Sequence, residues 1–195
     1  MSYVKPTVPI FTGLKNIDLR LQNMAIYLGN EISWLDYSFG LADRITQQRD
    51  EPYIFPAAWM SNTVDPFDCL PNDQYTYSFW LAGDLTSIEY DDIYSVNKIP
   101  LIQQDVSVIF FVDLRHVSKS SSYNITRSQC RQDIMDSLNV MSGIDANFEP
   151  REYIENDMKQ IYDGFSIEAV DNQKKELPFW AIRINGILSF RPDCV

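Results

Sequence analysis

The sequence contains a single histidine, His116, and three cysteines, Cys69, Cys130 and Cys194. The thiols lie far apart, odd in number and never spaced as C-x-x-C. Neither a structural zinc site nor a disulfide framework has the groups it needs, and a reducing compartment is expected. A nucleophilic triad is equally short of parts: there is no Gly-x-Ser-x-Gly elbow, and His116 stands in a polar stretch with no cysteine or second histidine near it. Basic charge is scarce too, with 16 Lys and Arg against 27 Asp and Glu, for a formal net charge of −11. A surface that grips phosphates by releasing counterions needs the opposite balance. No run approaches the roughly 18 apolar residues of a membrane span, and the opening Met-Ser-Tyr-Val-Lys-Pro-Thr-Val-Pro-Ile lacks the apolar core of a secretion signal. These absences lead to the expectation of a chain made and used in soluble form, with no enzyme activity, no cofactor, no metal and no membrane partner.

What is present builds a core. Hydrophobic residues make up 45% and aromatic residues 13% of the chain, which excludes disorder. A length of 195 residues accommodates one domain with an insertion, expected to span residues 1–195. Its centre is the stretch from Asp105 to Leu114. Val106, Val108, Phe110, Val112 and Leu114 share one side of a strand there, and Ile109 and Phe111 share the other, between the polar Ser107 and Asp113. Such a strand needs a pairing strand on both edges and cover on its faces.

Around it the pattern predicts an extended arm from Ser2 to Phe11, kept at an edge by Pro6 and Pro9. A long helix follows Thr12, with Leu14, Ile17, Leu21, Met24, Leu28, Ile32 and Leu35 spaced by three or four. Gly40 is expected to break or turn it, and residues 36–50 to form a connection. Tyr53 to Met60 reads as a strand that Pro56 confines to an edge or bulge. The loop from Val64 to Asp73 carries three aspartates without the glycine and alternate ligands of a calcium loop. Gln74 to Ala82 alternates as a strand with Tyr75, Tyr77, Phe79 and Leu81 on one side and Trp80 on the other. Gly83-Asp84 reads as a turn into an excursion over about residues 83–100. The Ser-rich Arg115 to Asn124 reads as a mobile loop. A capping box at Thr126-Arg-Ser-Gln129 opens a second helix along Cys130, Ile134, Leu138 and Met141. Glu149-Pro150 signals a third, with Ile154, Met158 and Ile161 inside. A C-terminal β-hairpin is expected from Phe165, Ile167 and Ala169, returning through Trp180, Ile182, Ile184 and Leu188. The expected class is therefore α+β: a mixed or antiparallel sheet with a long N-terminal helix and two further helices packed on it.

This order resembles the tail-terminator and neck proteins of tailed bacteriophages. The residues that carry the resemblance are Val106 to Leu114, the helix from Pro150 to Tyr162, Gly164-Phe165 and Phe179-Trp-Ala-Ile-Arg-Ile-Asn-Gly186. In the first half, Phe55-Pro-Ala-Ala58, Leu70-Pro-Asn-Asp-Gln74 and Tyr77-Ser-Phe79 are similar to uncharacterised proteins of phages and prophages of gut Bacteroidetes-type bacteria. The excursion from Leu85 to Ile99 and the chain's length depart from a minimal terminator.

The resemblance implies a structural virion protein, assembled in the bacterial host cytoplasm. It would form a homo-oligomeric ring in the head-tail connector, next to portal or tail proteins, with DNA passing through unbound. Interface residues would come from the arm (Tyr3, Val4, Val8, Ile10) and the Ser-rich loop (Lys119, Tyr123). Acidic residues would face the channel or rim, either Asp84, Glu89, Asp91 and Asp92 or Glu149, Glu152, Glu155 and Asp157. The rival reading is a small-molecule or carbohydrate-binding α+β domain that uses the aromatic residues around 75–80 as a pocket wall.

Overall fold

The computed structural model describes residues 15–48, 50–59, 66–90, 100–120, 126–141 and 147–191. The expected interface residues Tyr3, Val4, Val8, Ile10 and Tyr123 lie outside them, as do Asp91 and Asp92. So do the side chains of Asp84, Glu89 and Lys119.

Helix α1 (Lys15–Glu31) buries Ile17, Leu21, Met24 and Leu28 of the predicted stripe, with Ala25 beside them, while Leu14 lies outside the described residues. It stops short of Leu35. Ile32, Trp34 and Leu35 are buried from a turn instead. Tertiary bonds outcompete another helical turn there: the Trp34 indole donates to Asp133 (2.9 Å), and Thr76 N donates to Asp36 (2.8 Å). The expected connection then forms two strands, β1 (Tyr37–Leu41) and β2 (Asp43–Gln47). Gly40 lies inside β1, where a Cβ would sit 3.3 Å from Gln22 Cα. Its smallness lets α1 cross the strand; it breaks no helix.

Strands β2, β3 (Tyr53–Ala58) and β4 (Phe67–Asp68) form a small antiparallel sheet in that order. Pro56 therefore sits in a middle strand, not at an edge. β4 pairs only with Ala57 and Ala58, so the missing Pro56 amide deprives no strand neighbour, while its carbonyl accepts from Cys69 N at 2.8 Å.

The larger sheet is built on β5 (Tyr77–Tyr90) and β6 (Pro100–Asp113). Gly83-Asp84 is not a turn: β5 passes through it with register shifts on either side of Leu85. The Gln104 amide donates to the Gly83 carbonyl and holds the ladder together there. The described part of the expected excursion, residues 83–90, is thus strand paired with β6, and residues 91–99 lie outside the described residues.

After β6 comes α2 (Leu114–Ser120), so the first part of the expected mobile loop is helix, and residues 121–124 lie outside the described residues. Val117 is buried, and Asp113 accepts from Arg115 N at 2.9 Å. Helix α3 (Arg127–Met141) buries Cys130, Ile134, Leu138 and Met141 as predicted.

The third expected helix is mostly strand. β7 (Asn147–Glu155) takes its place, and only α4 (Met158–Ile161) is helical. Pro150 and the acidic residues after it are local helix-start signals, but pairing with β8 (Phe179–Phe190) along nearly the whole of β7 overrides them. The first arm assigned to the C-terminal hairpin is likewise a short 3-10 turn, Ile167–Ala169. The antiparallel C-terminal pair is β7 with β8.

The five strands lie in the order β1-β5-β6-β8-β7, antiparallel except for β1 against β5. The class is mixed α+β, as expected. One face of the sheet, through Trp80, Val108, Phe110, Trp180 and Ile182, packs on α1 and α3. The other, through Tyr77, Phe79, Ile109, Phe111 and Ala181, packs on the small sheet and α4.

Gly186 marks the tightest point of this packing. A Cβ there would run into the Glu149 carbonyl of β7 and come within 2.6 Å of the Phe148 ring, itself edge-on to Trp80 at 5.2 Å. Gly186→Ala should therefore destabilise the fold by about 1–3 kcal/mol in denaturant unfolding. A change below about 0.5 kcal/mol, the level of a surface site, would mean that β7 does not sit against β8 in this register.

Candidate functional site

Below the small sheet, the second face of the large sheet is left open. A cleft of about 600 Å³ crosses β5, β6, β8 and β7 there, walled by the start of β2 and by residues 163–165. Its floor is a row of cross-strand partners. Ser107 of β6 lies opposite Asn185 of β8, which lies opposite Glu152 of β7. The Asn185 carbonyl accepts from Ser107 Oγ (2.7 Å) and Arg183 Nε (2.8 Å), while its amide donates to Glu152 (2.7 Å). Arg183 also donates to Ser107 Oγ at 3.2 Å. Burial pushes the Arg183 guanidinium below its usual range, against the pull of Asp163 and Glu152.

Arg44 forms the opposite wall, over the Phe165 ring at 6.0 Å. Gly164 makes room for it: its φ is +83°, a left-handed conformation that favours glycine, and a Cβ there would meet Arg44 at 3.4 Å. With Arg151, three arginines face Asp43, Asp105, Glu152 and Asp163. A lining of both signs suits a polar protein segment better than a polyphosphate. Ser107 is no nucleophile, because its hydroxyl is held by a cation and an amide where activation needs a base.

The single histidine has a partner that sequence spacing concealed. His116 Nε2 on α2 lies 3.4 Å from Asp36 Oδ2, a residue remote in sequence. Asp36 also accepts from Thr76 N and lies 3.0 Å from Thr76 Oγ1. Thr76 is fully buried, so the pair fastens α2 to the turn before β1 and presents no hydroxyl to a substrate. The described cysteines are shielded as well. Burial, helped by Asp133, pushes the Cys130 thiol up to about 12, and burial raises Cys69. Thiolate is suppressed at both.

The described members of the two expected acidic groups belong to strands on opposite flanks of the sheet. Asp84 and Glu89 belong to β5, while Glu149, Glu152 and Glu155 belong to β7, an edge strand and not the outside of a helix. Most of the second group is already engaged. Glu155 is clamped by Arg127 (2.8 Å) and Arg131. Glu152 accepts from Asn185, and Asp157 caps α4 by accepting from Lys159 N and Gln160 N. Glu149 is exposed, with no bonded partner among the described residues. The aromatic residues around 75–80 form no pocket wall. Tyr77, Phe79 and Trp80 are fully buried, and Tyr75 packs edge-on against Tyr37 at 4.9 Å, so they offer no open platform for a sugar.

Both flanks end in strand edges. β1 pairs with β5 only as far as Trp80, which leaves residues 81–90 without a strand on that side among the described residues. β7 closes the other flank and has no outer neighbour there. Among the described side chains, each edge strand carries one large exposed apolar residue, Ile88 on β5 and Tyr153 on β7, both 48% exposed. Sequence reading missed these edges because it placed a turn at Gly83 and a helix at Pro150. The β-branched and aromatic residues Ile88, Tyr153 and Ile154 were the available strand signal.

No model of a known protein family matches this chain, and no curated protein matches it.

Burial alone would raise the Glu155 carboxyl, but hydrogen bonds from Arg131 and Arg127 hold it below the usual 4.5. Its contribution is therefore present above that pH and lost as the pH falls through the lower folded-state value. Glu155→Gln should cost about 1–3 kcal/mol at neutral pH, with the difference from the natural chain fading in unfolding measured below pH 4.5. A difference that persists undiminished at low pH would show that the clamp is not ionic.

Proposed function

We infer that the chain is a structural subunit of a tailed-bacteriophage neck, forming a tail-terminator-like ring between portal and tail through which DNA passes. The observation that carries this reading, beside the sequence resemblance, is the pair of unlike open edges on opposite flanks of one sheet. A subunit with two different contact surfaces facing away from each other builds heterologous, head-to-tail contacts, which close into a ring when the rotation per subunit allows it. Both edges are guarded. Register shifts interrupt β5 and β7, and Pro150 with three neighbouring charges lies on β7. Such devices suppress indiscriminate strand addition and leave recognition to side chains such as Ile88 and Tyr153.

Charge supports the same reading. The net charge is −11, and carboxylates on both flanking strands repel phosphate whichever flank turns toward the channel. The buried aromatic rings favour it over carbohydrate binding. Ring assembly takes place in the host cytoplasm and ends in the virion neck, with portal or tail proteins as neighbours.

Mass measurement by light scattering, on the chain alone and mixed with neck partners, tests this directly. A closed oligomer is expected in at least one of these conditions. Ile88→Lys and Tyr153→Lys should each reduce the oligomer while changing subunit stability by no more than about 0.5 kcal/mol, as exposed sites do. A monomer in every condition would falsify the ring. An oligomer indifferent to both substitutions would remove the edges from its interface.

A further inference from the structure

The cleft on the open face of the large sheet has an occupant within reach in the chain itself. Residues 1–14 precede α1 and lie outside the described residues. They include no Asp or Glu, in a chain with 27 of them, and Lys5 is their one basic side chain. Val4, Val8, Ile10 and Phe11 make the rest of the segment largely apolar.

Helix α1 begins at the end of the sheet where β5 is bare. Arg20, in its second turn, donates to the Arg191 carbonyl (2.8 Å) and lies 5.1 Å from the centre of the Phe190 ring. Phe190 lies opposite Ile102 of β6, and Ile102 opposite Ile88 of β5. Asp105, which lines the cleft, is three residues along β6 from Ile102, a separation of about 10 Å. Passing from the helix layer to the other face of the sheet adds roughly 10–15 Å. The ten residues from Lys5 to Lys15 reach up to roughly 33 Å when extended, so Lys5 can arrive at Asp105 of its own chain.

The rim of the cleft is open at that point. Gly83 of β5 has no side chain to screen Asp105: a Cβ there would lie 3.2 Å from the Asp105 Cβ. Asp105 is exposed, and its carboxylate has no bonded partner among the described residues. The nearest cations of the lining are otherwise placed. Arg183 is engaged by Asn185, Ser107 and the Ile161 carbonyl, Arg44 lies over Phe165, and Arg151 belongs to β7 on the far flank. Leu41 and Leu81, both half-buried, supply apolar surface in the same cleft.

We propose that residues 1–14 fold back over the edge of β5 at Gly83 and dock in the cleft of their own chain, with the Lys5 ammonium paired to Asp105 and Val4 and Val8 laid on Leu41 and Leu81. Pro6 holds Lys5 in extended backbone. Pro6 and Pro9 also lack amide donors, so the segment cannot add to β5 as a regular strand and docks through side chains instead. The proposal does not rest on ring assembly, since segment and cleft belong to one chain.

A spin label on Thr7→Cys, in a chain that also carries Cys194→Ser, tests this by amide NMR; Cys69 and Cys130 are buried and escape labelling. The amide signals of Gly83, Asp105, Ser107 and Asn185 should be lost and should return when the label is reduced, while those of residues 127–133 of α3 persist throughout. Asp105→Lys should restore the cleft signals, and adding Lys5→Asp should remove them again. Lys5→Asp alone reads the same restoration should Asp105→Lys fail to fold. In a mixture of spin-labelled chains with isotope-labelled chains that carry no spin label, the cleft signals should be kept. Their loss in that mixture would place the segment in a neighbour's cleft and overturn the proposal, as would cleft signals that survive the label in one chain, or a loss indifferent to both charge substitutions.

Discussion

The rest of the molecule depends on one strand that is apolar on both faces. Val108, Ile109, Phe110, Phe111 and Val112 are each fully buried in β6. A strand that alternates polar with apolar residues asks for cover on one side only; this one requires cover on two. Its even-numbered residues draw α1 and α3 onto one face, and its odd-numbered residues draw the small sheet and α4 onto the other. Fully burying side chains of this size stabilises by about 1.5–3 kcal/mol each. Five in succession therefore outweigh local preferences elsewhere in the chain, including the helix signals around Pro150.

That imbalance explains what the sequence made legible. The centre of β6 was readable because neither period of its apolar residues depends on distant context, and α3 was readable because its capping box and its Cys130–Ile134–Leu138–Met141 stripe agree. β7 was unreadable for the opposite reason. Phe148 is its one fully buried side chain, so an edge strand left little alternation to see while Pro150 and its acidic neighbours offered helix-start chemistry. The polar cleft was hidden differently. Ser107, Glu152, Arg183 and Asn185 come together only through sheet register, and no local period records that Asn185 faces both neighbouring strands. The His116–Asp36 pair has the same origin.

The same sheet that buries its centre so fully leaves its flanks bare. In the proposed ring, stability and assembly would fall to different strands. β6 and β8 hold the subunit, whereas β5 beyond Trp80 and β7 contribute less to the core and keep their outer edges open among the described residues. Interruptions at Leu85 and Pro150 keep those edges from pairing with any passing strand. A contact that must form only with copies in the correct rotation benefits from that restraint, because specificity then rests on shape and on a few exposed side chains.

Hydrogen exchange measured on the assembled and the dissociated protein tests this division most directly. On assembly, backbone amides of residues 81–88 and of β7 should gain protection, while those of Val108–Val112 in β6, slow to exchange in both states, should not change. Protection gained in β6, or edges that exchange equally fast in both states, would contradict it.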